Sequence, residues 1–533
     1  MIGDVLAKLE GAVGPFNVEN AHGERACISV RHDQISAATK LLLSQGARLR
    51  YETGLDLGVD GFDLYYLFSF DGDHTTTHVN VRVRLPRQAP TIASMAALTP
   101  QASWAERELM EMLGITFEGH PDPRHLWLPH EWPQRPEAGN TDNEAIMRPH
   151  GAVANLLPIG PYHPATLDSN LFRIEVDGER VKGIDIKIGY NHRGIVKLFE
   201  GRDYHKGIFL AERVCGICNC AHTTTYCTAV EELTNVEIPL RARYIRMLMV
   251  ELERIQNHFL WLGLFCNSVG FTTGFMLSWR ARETVQDAME LVSGQRITHA
   301  MNTIGGVRKD VPSETASKIL LLLHDVRQKA HHLEGVLLEN PIIRDRTVGI
   351  GMLDPQAAQT LGALGPTIRG SGRRIDVRLN DPYLAYNDVD WHIVTNDGCD
   401  AYARMVVRIE EMFVSLHVCE QALAHLSEMT GELAVKGFAI ERPLGIAHVE
   451  APRGEVMYLV AADDYTQNMP QAVRIRTPTY HNLPLLDTLL VGSEVGDVPV
   501  ILSSIDPCLA CTDRLTEVKR TRTSVEYAWS WNG

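Results

Sequence analysis

The sequence has little of what marks exported, membrane-spanning or nucleic-acid-binding chains. Only ten of its 533 residues are cysteine, too few for a disulfide-stapled scaffold. The first residues, MIGDVLAKLEGAVGPF, lack the basic stretch and apolar core of a signal peptide, so we expect a chain that is not exported. With 51 basic and 66 acidic side chains the net charge is −15, which disfavours nucleic acid as a partner.

Long hydrophobic runs are also missing. The best candidate, residues 244–266, is interrupted by Arg246, Glu251, Glu253, Arg254 and His258. We therefore expect that the chain does not span a membrane by itself, and attachment through a partner stays open. What is present is the composition of a folded globular protein of a few domains, 45% hydrophobic and 22% charged.

Residues 1–132 have the pattern of a small α+β domain. The segment 78–85 alternates polar and apolar residues, which predicts a half-buried strand. The run WAERELMEML predicts a helix that Ser103 caps and Gly114 ends. The polar, turn-rich residues 133–150 predict a linker.

Residues 151–514 form a second, larger unit in this interpretation. Its start predicts a hairpin over 171–188, turned at Asp177 and Gly178. Apolar residues at helical spacing predict long helices over 240–264, 278–293, 313–338 and 402–429. The fold class is therefore α+β, with a small N-terminal α+β domain and a large, mainly helical domain whose sites lie between helices.

Two CxxC pairs carry the strongest chemical signal. Cys215 and Cys218 lie in ERVCGIC, and Cys508 and Cys511 lie in DPCLAC. Four thiolates suffice for a soft-metal site. The pairs are far apart in the sequence, unlike those of a local zinc ribbon, which are about 15–20 residues apart.

Three kinds of site compete for these cysteines. A structural zinc site is a closed tetrahedron that needs no charged neighbours. A thioredoxin-like dithiol needs a βαβ setting, which is not evident around CGIC. The charged residues beside both pairs favour an open, redox-active metal site.

Several motifs together carry a family resemblance. ERVCGIC with the following His222, and DPCLAC, resemble the two nickel-binding signatures of [NiFe]-hydrogenase large subunits. GPYHP (160–164), GYNHRG (189–194) and ERIQNH (253–258) are similar to the 49-kDa subunit of respiratory complex I, and residues 106–128 to its 30-kDa subunit. Such a fusion with both cysteine pairs resembles the large subunit of group 4, membrane-associated hydrogenases of the formate hydrogenlyase and hydrogenase-4 type.

The resemblance implies a nickel–iron centre. Cys215 and Cys508 would bind nickel terminally, and Cys218 and Cys511 would bridge nickel and iron. Carbon monoxide and cyanide would complete the iron. Thiolates are soft, strongly donating ligands, and they suit a nickel ion that changes oxidation state.

The same resemblance assigns roles around the centre. Arg453 in APRGE would hold a fixed positive charge over the metals, and Asp506 can pair with it. His222, four residues after Cys218, would hydrogen-bond to a bridging sulfur, unless it is a surface or capping histidine. Asp168 falls at the position of a proton-relaying acid, unless it is an exposed loop aspartate.

Two features depart from the family pattern or stand outside it. Val196 occupies a position where the pattern usually has glutamate, and the nearby Glu200 reads as a helix-surface carboxylate. Cys220 and Cys227 have no counterpart in the motif, and we interpret them as packed thiols.

The family also implies processing and partners. The precursor would be cut after Arg514, releasing residues 515–533. The remaining cysteines lack the spacing of an iron–sulfur cluster, so electrons would come from an iron–sulfur small subunit. Further implied partners are other electron-transfer subunits, membrane-arm subunits, a maturation endopeptidase and nickel-insertion proteins, with the complex on the cytoplasmic face of the inner membrane.

The implied activity is the reversible reduction of protons to H₂. The alternatives are a metal-free, complex I-like quinone-site subunit of an NADH:quinone oxidoreductase and a zinc-stabilised scaffold. A quinone-site subunit of this fold lacks the cysteine pairs, and here all four cysteines are present. The identity of the electron donor, whether formate, carbon monoxide or ferredoxin, is left open.

Overall fold

The computed structural model describes residues 2–22, 24–128, 155–163, 168–462 and 468–513. The predicted linker and the tail after Arg514 lie outside these residues. The helices are α1 (Ile2–Val13), α2 (Ile35–Ser44), α3 (Ala102–Leu113), α4 (Ile195–Phe199), α5 (Tyr204–Glu212), α6 (Asn219–Thr234), α7 (Leu240–Val269), α8 (Thr272–Ser293), α9 (Ser313–Leu338), α10 (Pro341–Thr347), α11 (Pro355–Thr360), α12 (Pro366–Arg369), α13 (Val377–Asn380), α14 (Ala401–Glu428), α15 (Pro478–Asn482), α16 (Leu486–Leu490), α17 (Val498–Ser504) and α18 (Leu509–Thr512).

The strands form three sheets of three or more strands and two small pairs. They are β1 (Asn17–His22), β2 (Arg25–Val30), β3 (Arg48–Asp56), β4 (Phe62–Phe70), β5 (Thr77–Leu85), β6 (Thr91–Ala93), β7 (Thr116–Glu118), β8 (Leu156–Ile159), β9 (Leu171–Asp177), β10 (Arg180–Lys187), β11 (Asn302–Thr303), β12 (Gly306–Val307), β13 (Leu444–Ala451), β14 (Gly454–Ala462) and β15 (Pro470–Arg476). The α+β class predicted from the sequence is confirmed.

The N-terminal part is built on one five-stranded sheet with the order β1-β2-β5-β4-β3. Strand β5 contains the predicted alternating segment and pairs with β4 and β2. Helix α3 ends at Gly114, whose φ of 70° is the left-handed conformation that glycine adopts without strain. The predicted cap of this helix is wrong, because α3 begins at Ala102 and Ser103 lies inside its first turn.

A bundle of long helices, α6 to α9 and α14, forms the core of the larger part. Helix α7 is buried on every side from Tyr244 to Gly263, and the ionisable residues of this stretch have partners inside the protein. Arg246 meets Glu231 at 2.6 Å, and His258 meets Glu411 at 2.9 Å. The ionisable residues that interrupt the apolar run of this helix thus have partners inside the protein. Among the described residues no helix is both long and apolar enough to cross a membrane.

The sheet β13-β14-β15 connects the two parts of the molecule. Along β14, Val456, Tyr458 and Val460 pack into the helical core, while Met457 and Leu459 face the N-terminal sheet. There they join a cluster with side chains of β3 and β4, namely Tyr51, Leu55, Tyr65 and Leu67. The central strand of this sheet, β14, therefore has one face toward each part of the molecule. This sheet was not predicted from the sequence.

Candidate metal centre

The four predicted cysteines converge on one point. The Sγ atoms of Cys215 and Cys508 are 3.5 Å apart, and those of Cys218 and Cys511 are 3.6 Å apart. Within the second pair, the Sγ atoms of Cys508 and Cys511 are 3.1 Å apart. All four side chains are buried, with at most 4% exposure. The fold thus assembles a closed sulfur cluster from two distant segments.

Each CxxC pair lies at the start of a helix. Cys218 precedes α6, and Cys508 precedes α18. The sulfur of Cys215 accepts hydrogen bonds from the backbone N–H groups of Ile217 and Cys218, at 3.3 and 3.4 Å. The backbone N–H of Cys508 donates to Thr479 Oγ1 at 3.1 Å. Backbone geometry, rather than side-chain freedom, therefore sets the sulfur positions.

The cluster has the donor chemistry of a soft-metal site. A tetrahedral ion with metal–sulfur bonds of about 2.3 Å holds its sulfurs about 3.8 Å apart, close to the separations in this cluster. Hydrogen bonds from Cys218, Cys508 and Cys511 lower the pKa of Cys215 well below its usual value. The Cys215 sulfur in turn raises the pKa of Cys218 and Cys508. Four thiolates together therefore require bound cations, and the residues fit a metal centre.

Arg453 lies at the turn between β13 and β14, where the sequence placed a candidate catalytic cation. Its Nη2 is 3.0 Å from Asp506 Oδ1, and its Nε donates to the Asp506 carbonyl at 3.1 Å. Burial opposes the charge, but Asp506 and the sulfurs of Cys508 and Cys215 raise the pKa of Arg453 well above its usual value. Its Nη1 has no hydrogen-bond partner among the described residues. That buried donor fits an acceptor on the bound group.

Asp506 is held by a residue that the sequence analysis did not assign. Asn257 of α7 donates from Nδ2 to Asp506 Oδ2 at 3.1 Å, and both residues are buried. Asn257 lies in the ERIQNH motif, which was noted only for its family resemblance. Nothing in the sequence distinguished Asn257 from the other polar residues of this helix.

His222 lies on the first turn of α6, fully buried. Its Nε2 is 3.6 Å from the sulfur of Cys511, and its Nδ1 is 2.9 Å from the hydroxyl of Tyr458 on β14. The surface position that the sequence left open for His222 is therefore excluded. Tyr458 was missed, because nothing in the sequence distinguishes it from an ordinary core tyrosine.

Asp168 contacts the second cysteine segment. Its Oδ2 accepts the backbone N–H of Ala510 at 2.9 Å, and the side chain is half-buried rather than fully exposed. Beside it, Asp513 accepts the backbone N–H groups of Gly189 and Asn191 at 2.9 and 2.7 Å. Burial raises the pKa of Asp513 to about 6. Two carboxyl groups thus flank the Cys508–Cys511 turn.

The remaining candidates lie off the cluster. Cys220 and Cys227 are buried, and the sulfur of Cys220 contacts the side-chain oxygen of Asn219 at 3.7 Å. Val196 is a buried apolar residue, and Glu200 forms an ion pair with Lys197. Arg514, the predicted cleavage position, lies outside the described residues.

Family models of known proteins match most of the chain. Residues 268–443 and 430–514 match the respiratory-chain NADH dehydrogenase 49 Kd subunit, and residues 28–143 match the 30 Kd subunit. Residues 193–264, which contain the first cysteine pair, match nickel-dependent hydrogenase. The predicted relation to two complex I modules is confirmed.

Individual relatives decide the family. The chain is 37% identical to formate hydrogenlyase subunit 5 of Escherichia coli (strain K12), over 87% of this chain and 84% of the relative. It is 36% identical to hydrogenase-4 component G of the same organism, with the same coverage. This chain belongs to the large subunits of group 4 membrane-associated [NiFe]-hydrogenases.

A solved structure shares the fold. It is the membrane-bound sulfane sulfur reductase, an archaeal respiratory membrane complex, one chain of which aligns with a TM-score of 0.65 at 32% identity. The alignment covers 69% of this chain and 100% of that chain. This chain thus shares its fold with one subunit of a respiratory complex that is named as a sulfane sulfur reductase.

Proposed function

We propose that this protein is the catalytic large subunit of a hydrogenase complex that reversibly reduces two protons to H₂ with two electrons. The observation that carries the proposal is the convergence of four buried sulfurs from two CxxC pairs, which three Sγ–Sγ contacts of 3.1–3.6 Å join into one cluster. The metal-free quinone-site alternative offers no reason for four thiols to meet in a closed site. A zinc scaffold offers no reason for a buried Arg453 beside the four sulfurs.

The side chains around the sulfurs have distinct tasks in this proposal. When bound, a nickel–iron centre with carbon monoxide and cyanide on iron supplies the redox chemistry. Arg453 provides a fixed positive charge, and Asp506 holds its guanidinium in place. His222 donates a hydrogen bond to Cys511, and Asp168 is the acid that relays protons beside the Cys508–Cys511 turn. Burial of all four sulfurs keeps bulk water away.

Electrons and assembly need other chains. We infer an iron–sulfur small subunit as the immediate electron donor, with further electron-transfer and membrane-arm subunits behind it. Nickel-insertion proteins and a maturation endopeptidase would act on the precursor. The complex would then lie peripherally on the cytoplasmic face of the inner membrane.

Metal analysis and infrared spectroscopy of the purified complex test the proposal. We expect one nickel per large subunit, H₂ evolution from reduced methyl viologen and absorption bands of iron-bound carbon monoxide and cyanide. Zinc in place of nickel would support the scaffold. A complex without nickel that reduces quinone would support the complex I-like alternative.

A further inference from the structure

One polar face of α7 contacts the first cysteine segment. Glu253 and Gln256 are one helical turn apart and lie on this face. Glu253 is fully buried, and Gln256 is nearly so. Neither Glu253 nor Gln256 takes part directly in the proposed reaction.

Glu253 caps the helix that follows Cys218. Its Oε1 accepts the backbone N–H of Cys220 at 2.6 Å, and its Oε2 accepts that of Ala221 at 2.9 Å. The first N–H groups of a helix have no partner within it, and a serine, threonine, aspartate or asparagine at the N-cap usually accepts them. Here the N-cap is Cys218, and its side chain makes no capping hydrogen bond. Glu253 of α7 therefore supplies the hydrogen-bond acceptor that Cys218, as a proposed metal ligand, does not supply.

Gln256 holds the turn between the two cysteines. Its Nε2 donates to the carbonyl of Ile217 at 2.8 Å, and its Oε1 accepts a hydrogen bond from Arg282 Nε at 3.0 Å. Ile217 is the residue directly before Cys218. Contacts at Ile217 and at Cys220 therefore fix the backbone on both sides of the Cys218 sulfur.

We propose that Glu253 and Gln256 are positioning residues that fix the first cysteine pair for metal binding. The inference rests on the proposed function and extends it to two residues that form no hydrogen bond with the four clustered sulfurs. Burial raises the pKa of Glu253 to about 8, so its cap on α6 rests on the two backbone hydrogen bonds and not on a full negative charge at pH 7. Movement of this helix start would displace Cys218 and His222 together.

The test compares two buried glutamates of the same helix. In Glu253→Gln the amide NH₂ faces one of the two backbone N–H groups, so one capping bond is lost. Glu251→Gln is the control, because Glu251 is equally buried but none of its partners is a sulfur. These partners are Arg254, Arg378, Tyr386 and Ser415. The readout is the rate at which the purified holoenzyme complex loses nickel to excess EDTA.

We expect Glu253→Gln to lose nickel about 10-fold faster than wild type, with shifted infrared bands. The control should keep the wild-type rate and bands even where its Tm falls. Equal nickel loss in both variants at equal Tm would overturn the inference, as would a wild-type rate in Glu253→Gln. If that variant does not fold, Gln256→Ala carries the same expectation.

Failure of the proposed function would look different. A wild-type complex without nickel contradicts that function but leaves the positioning role measurable. Cobalt(II) then replaces nickel as the probe, and its thiolate charge-transfer absorbance reports binding to the four sulfurs. We expect Glu253→Gln to weaken cobalt binding about 10-fold relative to Glu251→Gln. Equal affinities would overturn the positioning role.

Discussion

Replacing Tyr458 by phenylalanine tests how His222 acts on the cluster. A metal-bound thiolate only accepts hydrogen bonds, so the Nε2 atom that faces Cys511 must carry the proton. The Nδ1 atom must then accept from the Tyr458 hydroxyl, 2.9 Å away. Without that hydroxyl, the imidazole loses the contact that fixes its tautomer.

The structure gives an expected size for each effect. Tyr458→Phe removes one neutral hydrogen bond, worth about 0.5–1.5 kcal/mol, and should lower H₂ turnover roughly 2- to 12-fold. His222→Leu removes a hydrogen bond to a charged acceptor, worth about 1.5–3 kcal/mol, and should lower turnover roughly 10- to 150-fold. Because Tyr458 acts through His222, the double variant should be no slower than His222→Leu.

Initial rates of H₂ evolution, divided by nickel content, are compared among the wild type, the two single variants and the double variant. Normalising to nickel separates slower turnover from poorer loading. Multiplicative losses in the double variant would refute the reasoning, because Tyr458 would then act independently of His222. Wild-type turnover in His222→Leu would refute it as well.

Three further outcomes follow from the same geometry. Cys508→Ser should abolish nickel binding, whereas the control Cys227→Ser should retain it. Mass spectrometry measures the nickel content, and nickel in both variants would contradict the ligand assignment. Asp168→Asn should lower turnover about 100-fold with unchanged nickel content. Unchanged turnover would contradict a proton-relay role for Asp168. Burial lowers the pKa of His258 to about 4, so below pH 6.5 the unfolded chain binds a proton that the folded chain does not. Its contribution to the free energy of unfolding should fall by about 2 kcal/mol between pH 7 and 5. His258→Asn should flatten the decline in urea unfolding, and an unchanged slope would contradict this.

The candidate metal centre was the most predictable part of the molecule. Thiolate ligands must be cysteines at fixed spacing, so the chemistry leaves its mark directly in the sequence. The structure brings together Cys215, Cys218, Cys508 and Cys511 as expected. Helix α9 was equally clear, since its apolar spacing predicted the observed bounds, Ser313–Leu338.

The supporting groups were less predictable, because their partners are distant in the sequence. The sequence GEVMYLVAA of β14 is buried throughout and shows no alternation, so periodicity could not identify it as a strand. Tyr458 therefore could not be placed near His222. Likewise, the sequence showed only that ionisable residues interrupt the apolar run of α7. It could not show that Arg246 and His258 have buried partners, which the structure identifies as Glu231 and Glu411.

The two-sided environment of β14 gives the N-terminal domain a structural task. Tyr458 faces His222, while its neighbours Met457 and Leu459 pack against Tyr65 and Leu67 of the N-terminal sheet. The turn that carries Arg453 begins the same strand. The sequence shows no catalytic motif in the N-terminal domain. The contacts show that it covers the back of the strand that presents Arg453 and Tyr458, so loss of its apolar face would expose Met457 and Leu459 and loosen the support of both groups.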